Sequence, residues 1–180
     1  MRKLIESTFM TLNGSIGNPQ EWSGPYWDDE HTAYSVALME NTEALLLGRV
    51  TYEGFAAAWP SRAGDPFADK FNSMPKYVVS STLEEPKWNN ATVLSGQVIS
   101  QISKLKHESI GDILVYASYQ LVRLLLEHDL VDELRLVIFP VVLGAGERLF
   151  GEASDKTALR LVSTRPLGEG LAFLTYETVR

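Results

Sequence analysis

Short apolar runs alternate with segments of helical periodicity along most of the chain. Runs rich in Val, Ile, Leu, Thr and Phe predict strands over 4–12, 44–48, 76–80, 92–94, 112–116 and 133–140. The segments between them predict helices over 29–41, 51–59, 67–72, 98–106 and 118–128, the first capped by Asp28 or Asp29. Alternation of this kind is typical of parallel βα units in an α/β fold.

The last part of the chain has a different pattern. Residues 159–166 and 171–179 flank Leu167-Gly168-Glu169-Gly170 and predict an antiparallel hairpin. We therefore expect an α/β fold with three αβα layers and a mixed sheet, mostly parallel, that ends in an antiparallel hairpin. The chain of 180 residues has a common size for one domain, so residues 1–180 are interpreted as a single domain.

Residues 13–27, between the first strand and the first helix, hold three Gly, two Pro and two Trp. A loop of this length is commonly a functional cover, and its two tryptophans argue against disorder. The alternative is that Trp22 and Trp27 pack against the edge of the core. The sequence leaves both interpretations open.

Composition excludes several classes of function. The formal net charge is -7 and basic residues are scattered, so the chain lacks the electrostatic footprint of a nucleic-acid binder. It has no Cys and no long apolar run, so we expect a cytoplasmic protein without a membrane segment. His31, His107 and His128 are widely spaced, which favours solvated or capping roles and predicts no metal site.

Candidate chemistry lies where predicted strands run into helices. In parallel sheets these junctions share one edge, where helix N-termini favour anionic ligands. At 48–51 the sequence is Gly48-Arg49-Val50-Thr51: the glycine permits close backbone approach, and Thr51 offers a capping hydroxyl that could also meet phosphate. The Arg49 guanidinium suits a 2′-phosphate, and the alternative is a capped helix with a surface arginine.

Two further junctions are weaker signals on their own. Ser80 and Ser81 could bind a nucleoside or simply end a strand, and Ser118 fits an ordinary helix cap. The Gly-rich segment 143–146 is interpreted as a turn, because no phosphate-loop fingerprint is present. No hydrolytic triad or carboxylate pair is evident, so no catalytic residue is singled out and the chemistry is expected to come from a cofactor.

Taken together, these motifs resemble those of a known family. The segments Asn13-Gly14-Ser15-Ile16-Gly17, Gly48 to Glu53, Val79-Ser80-Ser81, Leu130 to Leu136 and Pro140 to Phe150 are similar to the dihydrofolate-reductase-like superfamily. Within it, the reductase domain of bacterial riboflavin biosynthesis is most similar. The resemblance extends over nearly the whole chain.

The resemblance implies an NADPH-dependent reductase that transfers a hydride to a small heterocyclic substrate, of the 5-amino-6-(5-phosphoribosylamino)uracil reductase type. It also implies a homodimer. By position, Phe9, Ile16 and Gly17 would lie near nicotinamide, Arg49 near the 2′-phosphate, and Ser80 and Ser81 near adenosine. Thr51 and Ser118 would meet the pyrophosphate. The remaining residues of the expected cofactor site are Gly48, Tyr116, Ala117, Tyr119 and Gln120.

Two positions depart from the family pattern. Ala117 stands where the family has Gly beside the pyrophosphate, and Asn13 stands where relatives often have Asp. The substrate-pocket candidates are Asn13, Trp27 and Asp28, although Asp28 also fits a helix cap. These departures keep two alternatives open: a non-catalytic relative that binds a nucleotide, and a dihydrofolate reductase.

Overall fold

The computed structural model describes residues 2–151 and 156–179. Its strands are β1 (Leu4–Thr11), β2 (Thr42–Gly48), β3 (Lys76–Val79), β4 (Ala91–Leu94), β5 (Asp112–Tyr116), β6 (Glu133–Phe139), β7 (Leu159–Leu167) and β8 (Leu171–Thr178). They form one sheet in the order β4-β3-β2-β5-β1-β6-β8-β7. Strands β1 to β6 are parallel, whereas β8 runs antiparallel to β6 and β7.

The helices are α1 (Pro19–Trp22), α2 (Asp29–Glu40), α3 (Arg49–Ala58), α4 (Pro66–Ser73), α5 (Val98–Glu108) and α6 (Tyr119–Glu127). Short 3-10 turns cover Gly24–Tyr26 and Pro60–Arg62. Helices α2, α3 and α4 pack on one face of the sheet, where Leu38 and Phe71 meet Leu45. Helices α5 and α6 pack on the other, where Ile102 and Val122 belong to the second core cluster. The predicted three-layer α/β fold is confirmed.

Several local predictions were wrong. The segment 13–27, predicted as a loop, contains α1 and a 3-10 turn. Trp22 is buried against Phe139, which agrees with the alternative that it packs against the core. Helix α3 begins at Arg49 rather than at Thr51, since Gly48 already takes the N-cap position. His31 is fully buried, whereas a solvated or capping role was expected. The aromatic rings around it supply the burial that its polar sequence neighbours did not indicate.

Candidate cofactor-binding site

The junctions after β2 and β5 meet at the carboxyl edge of the sheet. The backbone N–H of Gly48 donates to the Ser118 hydroxyl oxygen at 3.0 Å. A methyl group added at Gly48 would lie 3.6 Å from the Ser118 side chain, so the two turns are already at contact distance. The first turns of α3 and α6 therefore begin side by side, and each brings amide groups that have no acceptor within its own helix.

Neither helix is capped by a side chain. Gly48 offers no side chain, and Ser118 takes a left-handed conformation (φ 46°, ψ 47°) with its hydroxyl directed to Gly48 instead of to its own helix. The predicted cap at Thr51 was therefore wrong, because Thr51 lies within the first turn of α3. Ser118 does occupy the N-cap position of α6, as predicted, but its hydroxyl bonds Gly48 instead of its own helix. Helices α1 and α5 also lack a side-chain cap, whereas α2 is capped by Asp28 and α4 by Asp65.

Ala117 is also left-handed, with φ 46°, and its N–H donates to the Ser7 carbonyl at 3.3 Å. Two consecutive non-glycine residues in this region are costly, at about 1 kcal/mol or more each. The turn after β5 therefore takes a backbone shape suited to glycine although alanine and serine occupy it. Beside it, the Tyr116 ring packs between Phe55 and Phe71, so its side chain belongs to the core.

Arg49 is exposed at the start of α3 and forms an ion pair with Glu53. Both carboxylate oxygens of Glu53 accept from the same guanidinium nitrogen, Nη1, at 3.0 and 2.9 Å. The Nε and Nη2 groups make no hydrogen bond within the described ranges 2–151 and 156–179, so they remain open to a second anion. An exposed pair of this kind contributes little stability and exchanges easily.

Ser80 follows β3, next to the Gly48 junction, because Gly48 and Val79 are register partners. Its hydroxyl accepts from the backbone N–H groups of Thr82 and Leu83 at 3.1 and 3.0 Å, which closes a local turn. Ser81 is exposed beside it. Both therefore lie at the expected edge, with Ser80 engaged in its own loop.

The predicted nicotinamide side is assembled from three segments. Ile16 is buried, and its N–H donates to the Glu147 carbonyl at 2.8 Å, while Gly17 also lies against Glu147. The Glu147 carboxylate near Tyr119, in the first turn of α6, raises the pKa of the Tyr119 hydroxyl. The segment after β1, the 141–150 loop and the start of α6 are thus brought together. Gln120 is exposed and donates to Tyr119 at 3.3 Å.

Asn13 and Asp28, two substrate-pocket candidates, are held by bonds within the protein. Asn13 donates to the Leu143 carbonyl at 2.6 Å and accepts from the Thr11 hydroxyl at 2.8 Å, so it fastens the 141–150 loop to β1. Asp28 caps α2 by accepting from the His31 N–H at 2.9 Å. Its carboxylate also lies against the Gly168 turn between β7 and β8.

Trp27, the third candidate, covers His31, whose burial the sequence did not predict. Its indole ring is half exposed and stacks on the His31 imidazole at 3.9 Å, with 25° between the ring planes. Phe9 approaches His31 edge-on at 4.9 Å. His31 lies in the first turn of α2 among polar residues, so the local sequence does not indicate that its side chain is buried. Only the aromatic residues at 9 and 27 hinted at a shared pocket.

The amino ends of the strands contrast with this edge, because their polar groups are bonded within the protein. Lys76 has no exposed surface, and its ammonium donates to the carbonyls of Asn72, Met74 and Asn89 at 2.7, 2.7 and 2.9 Å. Burial lowers its pKa to about 8. The Trp88 ring lies 4.3 Å from the ammonium.

Glu6 lies in the middle of β1, between the two ends. It has no exposed surface, and neither carboxyl oxygen makes a hydrogen bond of normal geometry within the described part of the chain. Burial raises the pKa of Glu6 well above its usual range, and the neighbouring Thr8 hydroxyl opposes that rise. The group is therefore best described as a neutral carboxylic acid in the core.

Two kinds of feature are absent from the described residues. Among residues 2–151 and 156–179, no group of three or more His, Asp or Glu side chains is arranged to hold a metal ion. No helix within those ranges has the length and apolar character needed to cross a membrane.

The fold and the junction geometry together describe an α/β domain with an anion-favouring edge, and comparison with known proteins assigns its family. The sequence model of the RibD C-terminal domain matches residues 2–173, and the chain belongs to that family. The Bacillus subtilis protein YyaP, which is uncharacterized, is 31% identical over 97% of this chain and 94% of its own length. A second uncharacterized protein of that organism, YwjB, is 26% identical over 94% of this chain and 95% of its own length.

Solved structures confirm the fold. A protein of Shewanella sp. PV-4 named for riboflavin biosynthesis superposes with a TM-score of 0.81 at 24% identity, covering 99% of both chains. A pyrimidine reductase-like protein of Corynebacterium diphtheriae gives 0.69 at 17% identity, covering 99% of this chain and 92% of the other. Dihydrofolate reductase from Enterococcus faecalis, solved with NADP(H), gives 0.62 at 15% identity, with 99% and 97% covered.

Proposed function

We propose that the protein is an NADPH-dependent reductase that transfers a hydride to a small heterocyclic substrate, of the riboflavin-biosynthesis type. The observation that carries the proposal is the meeting of two uncapped helix starts at the carboxyl edge of the sheet, with Gly48 bonded to Ser118. Unpaired amides at such an edge favour phosphate groups. The family assignment and the NADP(H) in the Enterococcus faecalis structure support the same cofactor.

The residues present fit a dinucleotide phosphate. The first turns of α3 and α6 would hold the pyrophosphate, with Gly48, Thr51 and Ser118 nearest to it. The open Nε and Nη2 edge of Arg49 would receive the 2′-phosphate. When bound, NADPH supplies the hydride. The residues of this chain bind and orient it, with Phe9, Ile16 and Gly17 on the proposed nicotinamide side.

The alternative of a non-catalytic relative depends on Ala117 and on Asn13, which stands where relatives often have Asp. Ala117 takes the left-handed φ of 46°, the region that favours glycine, and its N–H donates to the Ser7 carbonyl at 3.3 Å. The turn therefore forms with alanine in place, which supports the reductase. The expected outcome for Ala117→Gly is NADPH affinity close to that of the wild type, and a sharp gain in affinity would instead support the drifted relative.

We also propose that residues 1–180 act as a single cytoplasmic reductase domain and that two copies associate through β7. This strand is one of the two edges of the sheet, and its residues Leu161 and Val162 are each 49% exposed. Exposed strand edges with apolar residues favour pairing with a second copy. Sedimentation at micromolar concentration should show a dimer, and a monomer would contradict this part of the proposal.

The cofactor assignment is tested by calorimetric titration of NADPH and NADH in parallel. We expect saturable binding of NADPH and a preference over NADH of about tenfold or more, the size expected of one charge-assisted phosphate contact. Absence of saturable binding by either dinucleotide, or equal affinity for both, would contradict the proposal.

A further inference from the structure

The His31 imidazole is buried with unsatisfied polar atoms. It has no exposed surface, and neither ring nitrogen makes a hydrogen bond of normal geometry to any described residue. Buried polar groups without partners are rare because each loses its hydrogen bonds to water. A protein that keeps such a group next to a candidate site has reason to use it there.

Burial lowers the pKa of His31, and the Tyr26 carbonyl and the Asp28 charge only partly oppose this effect. The ring is therefore neutral at pH 7, with one nitrogen able to donate and the other able to accept. The donating and the accepting nitrogen of the neutral His31 ring complement a heterocycle that has neighbouring C=O and N–H groups. They suit a protonated amidine poorly, because an amidine presents only donors and its positive charge favours a carboxylate.

The Trp27 indole is the exposed side of this pocket and is weakly restrained. It is half exposed. Among the described residues, its side chain makes one hydrogen bond, from Nε1 to the exposed Thr32 hydroxyl at 3.2 Å. On the other side, His31 packs against Phe9 and Phe139, which are fixed in β1 and β6. Trp27 is therefore the exposed member of the rings that surround His31.

The position is appropriate for a substrate. Phe9 and Phe139 lie at the carboxyl ends of β1 and β6, the same edge that carries Gly48 and Ser118. We propose that the Trp27 indole is a removable cover and that His31 is the specificity-determining residue, which hydrogen-bonds a planar lactam-type heterocycle once the cover has moved. This inference rests on the proposed reductase function, because it assigns the substrate side of that site.

The test uses two free ring probes, 6-aminouracil for the lactam edge and 2,4-diaminopyrimidine for the protonatable amidine edge. Binding is followed by tryptophan fluorescence, with Trp27→Phe assigning the Trp27 signal, and by the NMR shifts of the His31 ring. We expect 6-aminouracil to bind preferentially, to change the Trp27 signal and to shift the His31 resonances.

His31→Phe keeps a planar ring of similar size and removes both nitrogens. We expect it to fold, to keep NADPH affinity and to lose about tenfold or more in 6-aminouracil affinity, as expected when a hydrogen-bonding pair is lost. His128→Phe, at an exposed histidine remote from the pocket, is the matched control and should bind like the wild type.

Trp27→Ala should move the pKa of His31 toward its ordinary value without abolishing probe binding. The inference is overturned if the wild type binds neither probe, if His31→Phe binds 6-aminouracil normally, or if binding leaves the Trp27 and His31 signals unchanged. These outcomes are separate from NADPH affinity, so a failed cofactor titration with normal probe binding would contradict the proposed function alone.

Discussion

The two ends of the parallel sheet differ in how far their polar groups are hydrogen-bonded within the protein. At the amino end, Lys76 gives its three hydrogens to three carbonyls. Asp132 accepts from the Leu4 N–H at 2.8 Å and pairs with Lys106 at 2.5 Å. At the carboxyl end, α3 and α6 start without side-chain caps, and Arg49 is held by one nitrogen. The amino end is closed by its own bonds, whereas at the carboxyl end α2 is capped by Asp28 but the first turns of α3 and α6 leave their donors open.

Because of this difference, we expect the amino end to contribute mainly to the stability of the fold and the carboxyl end mainly to ligand binding. Hydrogen bonds completed inside the protein contribute to folding, whereas donors left open contribute only when a ligand supplies the acceptor. Substitutions at the amino end should therefore change the free energy of unfolding without changing cofactor affinity. Substitutions at the carboxyl end should do the reverse.

The largest expected effect is at Lys76. Lys76→Met fills a similar volume but leaves three carbonyls without their donor, so the free energy of unfolding should fall by about 3 kcal/mol. Urea denaturation measures this change, and Lys104→Met, at a lysine whose side chain is 73% exposed, is the control. NADPH affinity should remain that of the wild type. Unchanged stability would show that the closed amino end does not depend on this ammonium.

Arg49 gives the corresponding test at the carboxyl end. Arg49→Met should weaken NADPH binding by about ten- to a hundredfold, because a charge-assisted phosphate contact is lost, and leave NADH binding unchanged. Arg62→Met, at an exposed arginine outside the junctions, should bind both dinucleotides normally. An equal loss for NADPH and NADH would assign Arg49 another role. Calorimetry measures all four affinities.

Glu6 should give the smallest effect, and it depends on pH. Because its folded-state pKa is raised, the folded protein binds more protons than the unfolded chain above the ordinary pKa of 4.5, so stability falls as pH rises through that window. Glu6→Gln does not titrate and should be more stable than the wild type at pH 7 by about 1 kcal/mol. Denaturation at several pH values should show this advantage shrinking toward pH 4.5, and a constant difference would contradict it.

The order of elements was predictable from the sequence, because alternation of apolar periodicity reports directly on burial. Strands β2, β3 and β5 and the final hairpin lie within two residues of their predicted ends. The start of α3 was misplaced because Gly48 was interpreted as part of the turn rather than as the N-cap. Short helices within 13–27 were missed because Gly and Pro dominate that segment locally.

The candidate site was predictable in its location but not in its bonding. Junction residues such as Arg49 and Ser118 lie at the expected edge, because strand ends of a parallel sheet converge. The bond from Gly48 to Ser118 joins residues 70 positions apart, and the stacking of Trp27 on His31 depends on rings from β1 and β6. Such contacts are set by tertiary packing, and no local pattern of polarity reports them.

Amide hydrogen exchange with and without NADP⁺ tests the central claim most directly, because it reads both ends of the sheet in one experiment. We expect NADP⁺ to add protection to the backbone amides of residues 48–52 and 117–121, at the starts of α3 and α6. We expect no added protection around Lys76 or Leu4 at the amino end. Added protection at the amino end, or no change at either junction when the dinucleotide is saturating, would contradict it.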